Sequence, residues 1–290
     1  MSKITLENIS YVYSPGTPFE VRALDAIHLN IRANAITGLI GHTGSGKSTL
    51  VQMLNGLTKP TSGRVLLDGQ DIWEKPKEIR QVRFRVGLVM QYPEYQLFDE
   101  TVRADIGFGP KNMGLSAAEI AERVAEAAAL TELDEALLDH SPFDLSGGQK
   151  RKVAIAGVMA MRPEVLVLDE PAAGLDPRGR DTVLRMLRDY QRKTGATVII
   201  VSHSMEDMAR FCDDIVVLAH GRLVMQGSGR EVFSRAEELA AVGLNIPEIS
   251  RMCLMLRERG VPMDEGIFTV EHAEQCLLRL FSQANGEGKA

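Results

Sequence analysis

Apolar and polar side chains alternate loosely over residues 3–13 and again over 24–31, where Ile, Leu and Val dominate. A period of two predicts a pair of strands. Between them Ser14-Pro-Gly-Thr-Pro-Phe-Glu-Val-Arg22 carries the Pro and Gly of a loop. AITGLI, residues 35–40, is a short unbroken apolar run and reads as a buried strand. A Gly-rich turn follows it, then a helix to about residue 57. RVLLDGQDI, residues 64–72, reads as a hairpin turning at Asp68-Gly69. VGLVMQ, residues 86–91, is another strand.

The pattern changes over residues 94–160, which read as helical and inserted. Ser116 and Glu119 have the spacing of a capping box, and the helix AAEIAERVAEAAAL follows. Three apolar strands come next: VLVLD (165–169), TVIIVS (197–202) and DIVVLA (214–219), with a helix around 178–193 between the first two. Strands alternating with helices imply a mostly parallel sheet covered on both faces, an α/β architecture. From about residue 231 the pattern is helical again. Ile246, Ile249, Cys253 and Leu256 share one face, with Pro247 as a first-turn proline. Val270, Ala273, Leu277 and Leu280 share another, with Thr269 as the cap. The expected layout is a main domain over 1–230, a small helical appendage over 231–282 and a disordered tail over 283–290. No internal repeat is visible.

Composition narrows the functional classes. A chain of 290 residues that is 44% hydrophobic can bury a sizeable core, and with only 5% aromatics aliphatic side chains must fill it. Net charge is −6, which argues against nucleic acid as the main partner, since phosphate-backbone binding rests on clustered Lys and Arg. Cys212, Cys253 and Cys276 are far apart and form no CxxC pair, so they read as reduced thiols of a cytosolic protein. The first residues lack the apolar stretch of a signal peptide. The apolar runs are strand-length, well short of the ~20 residues of a membrane helix. Any membrane role is expected to go through a partner.

The chemistry begins at Gly41-His42-Thr43-Gly44-Ser45-Gly46-Lys47-Ser48, which fits G-x-x-x-x-G-K-[ST] at every fixed position between a strand and a helix. Glycines let the backbone curl so that N–H groups face phosphate oxygens, and the following helix presents its positive end there. Lys47 adds a full charge and Ser48 a hydroxyl for Mg²⁺. Asp169-Glu170 ends the strand 165–169, beside the phosphate loop if the strand is central. Asp169 can then hold the Mg²⁺ shell, and Glu170 can take a proton from an attacking water. No Asn-Lys-x-Asp element of guanine specificity is present, so the base reads as adenine. The loop alone still admits kinases, GTPases, helicases and transport ATPases.

Leu145-Ser146-Gly147-Gly148-Gln149 is a second Gly-rich turn at a helix start, shortly before the Asp169 strand. With it the chain resembles the ABC ATPases over roughly residues 1–230, LSGGQ being that family's signature motif. Gln91 matches the Q-loop, Pro171 to Asp176 the D-loop, and His203 the switch histidine. Tyr13 matches the aromatic that stacks on adenine, with Tyr11 as its competitor. Ala172 departs from the hydroxyl residue common in the D-loop. The resemblance implies a P-loop fold with an N-terminal antiparallel β-subdomain and an inserted helical subdomain. It implies ATP bound by Tyr13, residues 41–48, Thr49 and Gln91. Mg²⁺ would be held by Ser48, Gln91 and Asp169. It also implies a head-to-tail dimer, with Leu145 to Gln149 of one subunit closing on ATP held by the other.

Three readings compete: a transporter motor, a soluble ABC protein of DNA or ribosomes, and a P-loop enzyme outside the family. LSGGQ followed by LDE counts against the third. A single ATPase unit with no coiled coil and an acidic balance counts against the second. Gln91-Tyr-Pro-Glu-Tyr-Gln-Leu-Phe98, Glu100-Thr-Val102, Phe108-Gly-Pro110 and the 243–247 and 256–260 segments are similar to the ATPases of energy-coupling factor transporters, most of all the second of two paralogues. That likeness implies a second ATPase as partner, a heterodimer being favoured over a homodimer. It also implies a transmembrane coupling subunit, an indirect substrate-binding membrane protein, and a place at the cytoplasmic face of the membrane. Cargo would be vitamins or transition-metal ions.

Overall fold

The computed structural model describes residues 2–287, with side chains to residue 282. Among the described residues ten strands are formed: β1 (Ser2–Tyr13), β2 (Val21–Arg32), β3 (Ile36–Ile40), β4 (Ser62–Leu67), β5 (Gln70–Asp71), β6 (Val86–Val89), β7 (Val165–Asp169), β8 (Thr197–Val201), β9 (Asp214–Ala219) and β10 (Arg222–Ser228). The main-domain helices are α1 (Lys47–Leu54), α2 (Ile79–Arg85), α3 (Val102–Asn112), α4 (Ala117–Leu130), α5 (Gly147–Met159), α6 (Pro177–Thr194) and α7 (Met205–Phe211). Then come α8 (Gly229–Phe233), α9 (Ala236–Ala241), α10 (Glu248–Glu258) and α11 (Val270–Glu287).

Two sheets result. One is antiparallel, in the order β2-β1-β4-β5. The hairpin β4–β5 turns at Asp68 and Gly69, both at positive φ, as its sequence demands. The second sheet runs β10-β9-β3-β8-β7-β6 and is parallel except for the edge pair β9–β10. Its central strands alternate between two cores. Val165 and Val167 of β7 join α1 and the antiparallel sheet, whereas Leu166 and Leu168 pack against α6 and α7. A strand buried on both faces has no polar position to spare, hence its unbroken apolar run. α3, α4 and α5 close a third core around Val102, Ile106, Val124 and Val153. The capping box of Ser116 and Glu119 starts α4.

The C-terminal part differs from the sequence expectation in two ways. The expected boundary at residue 231 cuts through α8. Val232, Phe233, Leu239 and Leu244 bury themselves in the main core. The separate small core begins only with Cys253 and includes Met263, Ile267, Ala273 and Cys276. Pro247 stands one residue before α10 as its cap. The backbone of α11 continues to Glu287, so helix replaces the first part of the expected tail; residues 288–290 lie outside the described residues. Among the described residues no helix is long and apolar enough to cross a membrane, and Cys212, Cys253 and Cys276 are free thiols.

Candidate nucleotide site

The turn from β3 into α1 is held from two sides. A Cβ on Gly41 would lie 2.3 Å from the Leu218 carbonyl oxygen, and one on Gly46, at φ +101°, would lie 2.6 Å from that of Ala23. Only glycine fits where two strands press so closely on the loop. The turn between β9 and β10 adds hydrogen bonds. Gly221 N–H donates to the Ser45 carbonyl (3.2 Å), and Asp25 N–H on β2 donates to the Gly221 carbonyl (2.8 Å). His220 N–H reaches His42 Nε2 at 3.4 Å. The phosphate loop and the antiparallel sheet are thereby joined through residues 220–221.

Lys47 Nζ arches back over the loop, donating to the carbonyls of Gly41 (2.7 Å) and His42 (3.0 Å). Ser48 Oγ, one residue on, donates to Asp169 Oδ2 at 3.2 Å. The loop's hydroxyl and the end of β7 therefore meet, as expected of a central parallel strand. Glu170 follows at φ +52°, a left-handed conformation that turns its carboxylate into the same space. His203 Nε2 lies 3.1 Å from Glu170 Oε1, yet not at a hydrogen-bonding angle, so this buried oxygen has no hydrogen-bond partner among the described residues.

Tyr13, Thr43, Gly44, Gly46, Lys47, Ser48, Thr49, Gln91, Asp169, Glu170 and His203 line one open cleft of about 470 Å³, together with Val21, Arg22 and Ala23. Tyr13 supplies the far wall, its hydroxyl 3.0 Å from Thr49 Oγ1. Tyr11, its competitor, packs edge-on against it and against the core instead. Burial governs the protonation of the group. It raises Asp169, and with the neighbouring Asp169 charge it raises Glu170 to about 7. It lowers Lys47, and with the charge of Lys47 it lowers His203. Carboxylates held at such a cost mark a place where an incoming charge is to be met.

Of the predicted site residues, Gly41, His42 and Ser45 belong to the loop without lining this cleft, and those of the signature and the D-loop stand outside it. Ser146 caps α5, accepting from Gln149 N–H, while Gln149 Oε1 accepts from Ser146 N–H at 2.9 Å. Leu145 is buried in the helical core, but Ser146, Gly147 and Gly148 are exposed. Asp176 caps α6 and accepts from Gly179 N–H at 2.7 Å. Sequence reasoning missed Arg22 and the 220–221 turn. The second had a readable signal, His-Gly directly after the apolar run 214–219 and before the apolar residues Leu223-Val-Met225.

The fit of Mg²⁺ rests on the donor set. Ser48 Oγ and Asp169 Oδ2 are already adjacent, Gln91 lines the same cleft, and Glu170 Oε1 is orphaned beside them. Oxygen donors of this kind, few in number, suit an ion that is completed by phosphate and water.

Comparison with known proteins gives the family. The ABC transporter family profile matches residues 24–173. An energy-coupling factor transporter ATP-binding protein, EcfA2, of Caldanaerobacter subterraneus is 50% identical over 276 residues, covering 95% of this chain and 96% of that protein. The EcfA2 of Symbiobacterium thermophilum is 51% identical over 283 residues, 98% of each. Among solved structures, cbiO1 of Clostridium perfringens, described as part of the ABC transporter complex cbiONQ, matches with TM-score 0.74 and 41% identity, covering 87% of this chain and 98% of that one. The cassette MJ0796, solved as a dimer with ADP and phosphate, matches with TM-score 0.70 and 28% identity, covering 78% of this chain and 98% of that one. The chain therefore belongs to the ABC transporter family and is an ATPase similar to energy-coupling factor transporter ATP-binding proteins.

Proposed function

We propose that this chain powers an energy-coupling factor importer of vitamins or transition-metal ions from the cytoplasmic face of the membrane. It does so as one half of an ATP-sandwich dimer whose other half is a paralogous ATPase. One observation carries the reading: Lys47, Ser48, Asp169, Glu170 and His203 converge in a cleft that is open to solvent, while Ser146, its main-chain N–H held by Gln149 Oε1, and Gly147 stand exposed elsewhere. A facing copy of the signature turn would complete the wall.

Within the cleft Lys47 neutralises the terminal phosphate and the start of α1 binds it through main-chain N–H groups. Tyr13 takes the base on its ring face. Ser48, Gln91 and Asp169 would hold Mg²⁺, which when bound neutralises charge on the phosphates. Glu170 orients the attacking water and accepts its proton. His203, 3.1 Å from that carboxylate, fixes the water and the terminal phosphate relative to each other. Positioning and charge placement carry the reaction. Asp176 belongs to the subunit interface.

Two apolar surfaces support the partners. Tyr92, Tyr95, Phe98 and Phe108 are exposed, Tyr95 by 85%, beside a groove lined by Phe84, Leu97 and Met161. Contiguous exposed aromatics of this kind mark docking surfaces, here for a cytoplasmic helix of the transmembrane subunit. Met252, Met255, Leu278 and Phe281 of α10 and α11 are exposed as well and fit a second contact between the ATPases. Purification of the full chain from its native membranes tests the reading. A second ATPase and an integral membrane subunit should accompany it; ribosomes or DNA in their place would overturn it.

A further inference from the structure

One buried cation has no part in the nucleotide cleft. Arg151 lies on the first turns of α5, five residues after Ser146, and is 4% exposed. Its guanidinium grips Glu94 with two bonds, Nε to Oε2 at 3.1 Å and Nη2 to Oε1 at 2.8 Å. Its remaining nitrogen, Nη1, donates to the main-chain carbonyls of Ala173 (2.6 Å) and Pro171 (3.4 Å). Burial alone would raise Glu94, but the Arg151 bonds hold it below the ordinary carboxylate range, so the pair is ionised.

Each partner stands at a different working part. Glu94 sits in the single turn Pro93–Gln96, three residues after Gln91 of the cleft and between the exposed rings of Tyr92 and Tyr95. Pro171 and Ala173 follow directly on Glu170, and Ala173 N–H donates to the Glu170 carbonyl at 3.1 Å. The same stretch runs on to Asp176, the cap of α6. Arg151 itself rides on the helix that Ser146 caps. A buried charge pair is a poor source of stability compared with apolar packing, but it fixes geometry where both partners must keep their fork of bonds.

We propose that Arg151 is a positioning residue that makes the docking surface at 92–98, the signature helix and the loop 171–176 move as one linked set. A force applied at Tyr92 or Tyr95 shifts Glu94, and through one rigid guanidinium shifts the segment beside Glu170 and the turn at Ser146. Arginine is required because its planar fork serves a carboxylate and main-chain carbonyls at once. A lysine offers a single ammonium and cannot span both. The idea rests on the proposed docking role of 92–98, and its test separates the two.

Arg151→Lys and Glu94→Gln, singly and together, are compared with the natural protein after circular dichroism and melting confirm folding. In the assembled transporter complex the variants should still co-purify with the membrane subunit, with KM for ATP within about twofold. The stimulation of ATPase by that subunit should fall at least about fivefold. The double variant should be no worse than the poorer single one, because one linkage is broken either way. Undiminished stimulation, or effects that multiply in the double variant, would overturn the proposal. The isolated chain gives an independent arm. Adding a non-hydrolysable ATP analogue should alter amide hydrogen exchange at 92–98 in the natural protein and not in Arg151→Lys; an equal change in both would refute the linkage. Failure of the membrane subunit to bind even the natural chain would count against the docking reading alone, and the exchange measurement would still decide the role of Arg151.

Discussion

At Gly41 and Gly46 an added Cβ would meet carbonyl oxygens of Leu218 and Ala23 at 2.3 and 2.6 Å, whereas at Gly147 and Gly148 it would meet nothing within 4 Å. Both turns are glycine-rich and both begin a helix, yet the pressure on them differs. The phosphate loop is crowded by its own chain. Strands β2 and β9 press on it, and the 220–221 turn bonds to it. Nothing within this chain demands glycine at 147 and 148. In the proposed dimer it is a nucleotide on the facing subunit that approaches these positions from outside. In the proposed sandwich, one half of the catalytic site is finished within the fold and the other half is offered to the partner.

Substitutions can break that contrast. Glu170→Gln acts inside the finished half, where it keeps shape and removes the proton acceptor. Turnover is expected to fall by ~10²–10⁴ with ATP still bound, as single-turnover assays and equilibrium binding would report. Near-normal turnover would take Glu170 out of the base role. Ser146→Arg acts on the offered half. Nucleotide binding by the single subunit should stay within about twofold, while ATPase falls by at least about tenfold because a bulky cation blocks closure on the partner. Undiminished ATPase would argue against a shared site.

Smaller effects sharpen the picture. Tyr13→Ala removes the ring face from the far wall of the cleft, and base stacking is worth about 1–3 kcal/mol. The dissociation constant for ATP should rise about fivefold or more, with kcat little changed, by fluorescence titration with a labelled analogue. Unchanged affinity would leave Tyr13 as packing for Tyr11. The least effect lies far from both turns, at Glu164. Hydrogen bonds from Arg85, and then from Lys3, hold its carboxyl at about 2, below the ordinary 4.5. Its contribution to stability is present above pH 4.5 and is lost as pH falls towards 2. The pair is partly exposed, so Glu164→Gln should cost only about 1 kcal/mol at neutral pH. That gap should shrink in denaturant titrations run at falling pH. A gap independent of pH would remove the ion pair as its cause.

How far the sequence could be read follows from the same physics. The strands buried on both faces, 165–169, 197–201 and 214–219, declare themselves by unbroken apolar runs. The phosphate loop, Asp169, Glu170 and the capping box at Ser116 are legible because local backbone chemistry dictates the residues. The edge strand β10 escaped notice, since RLVMQGS is half-exposed and alternates weakly. α2 and α7, each of seven residues, are too short to show a helical period. The boundary after residue 230 was misplaced for a related reason. α8 and α9 look like the start of an appendage by periodicity, but Phe233 and Leu239 pack into the main core, and only tertiary contact reveals it. Arg151 was illegible altogether: among the neighbouring lysines of Gln149-Lys-Arg-Lys152 nothing marks it as the buried one.

The bonds of residues 220–221 have one further consequence. They join the phosphate loop to the sheet whose strand β1 ends in Tyr13, so both ends of the cleft are mounted on one frame. A substitution that loosens the 220–221 turn would therefore disturb the ring end and the anion end of the proposed site together.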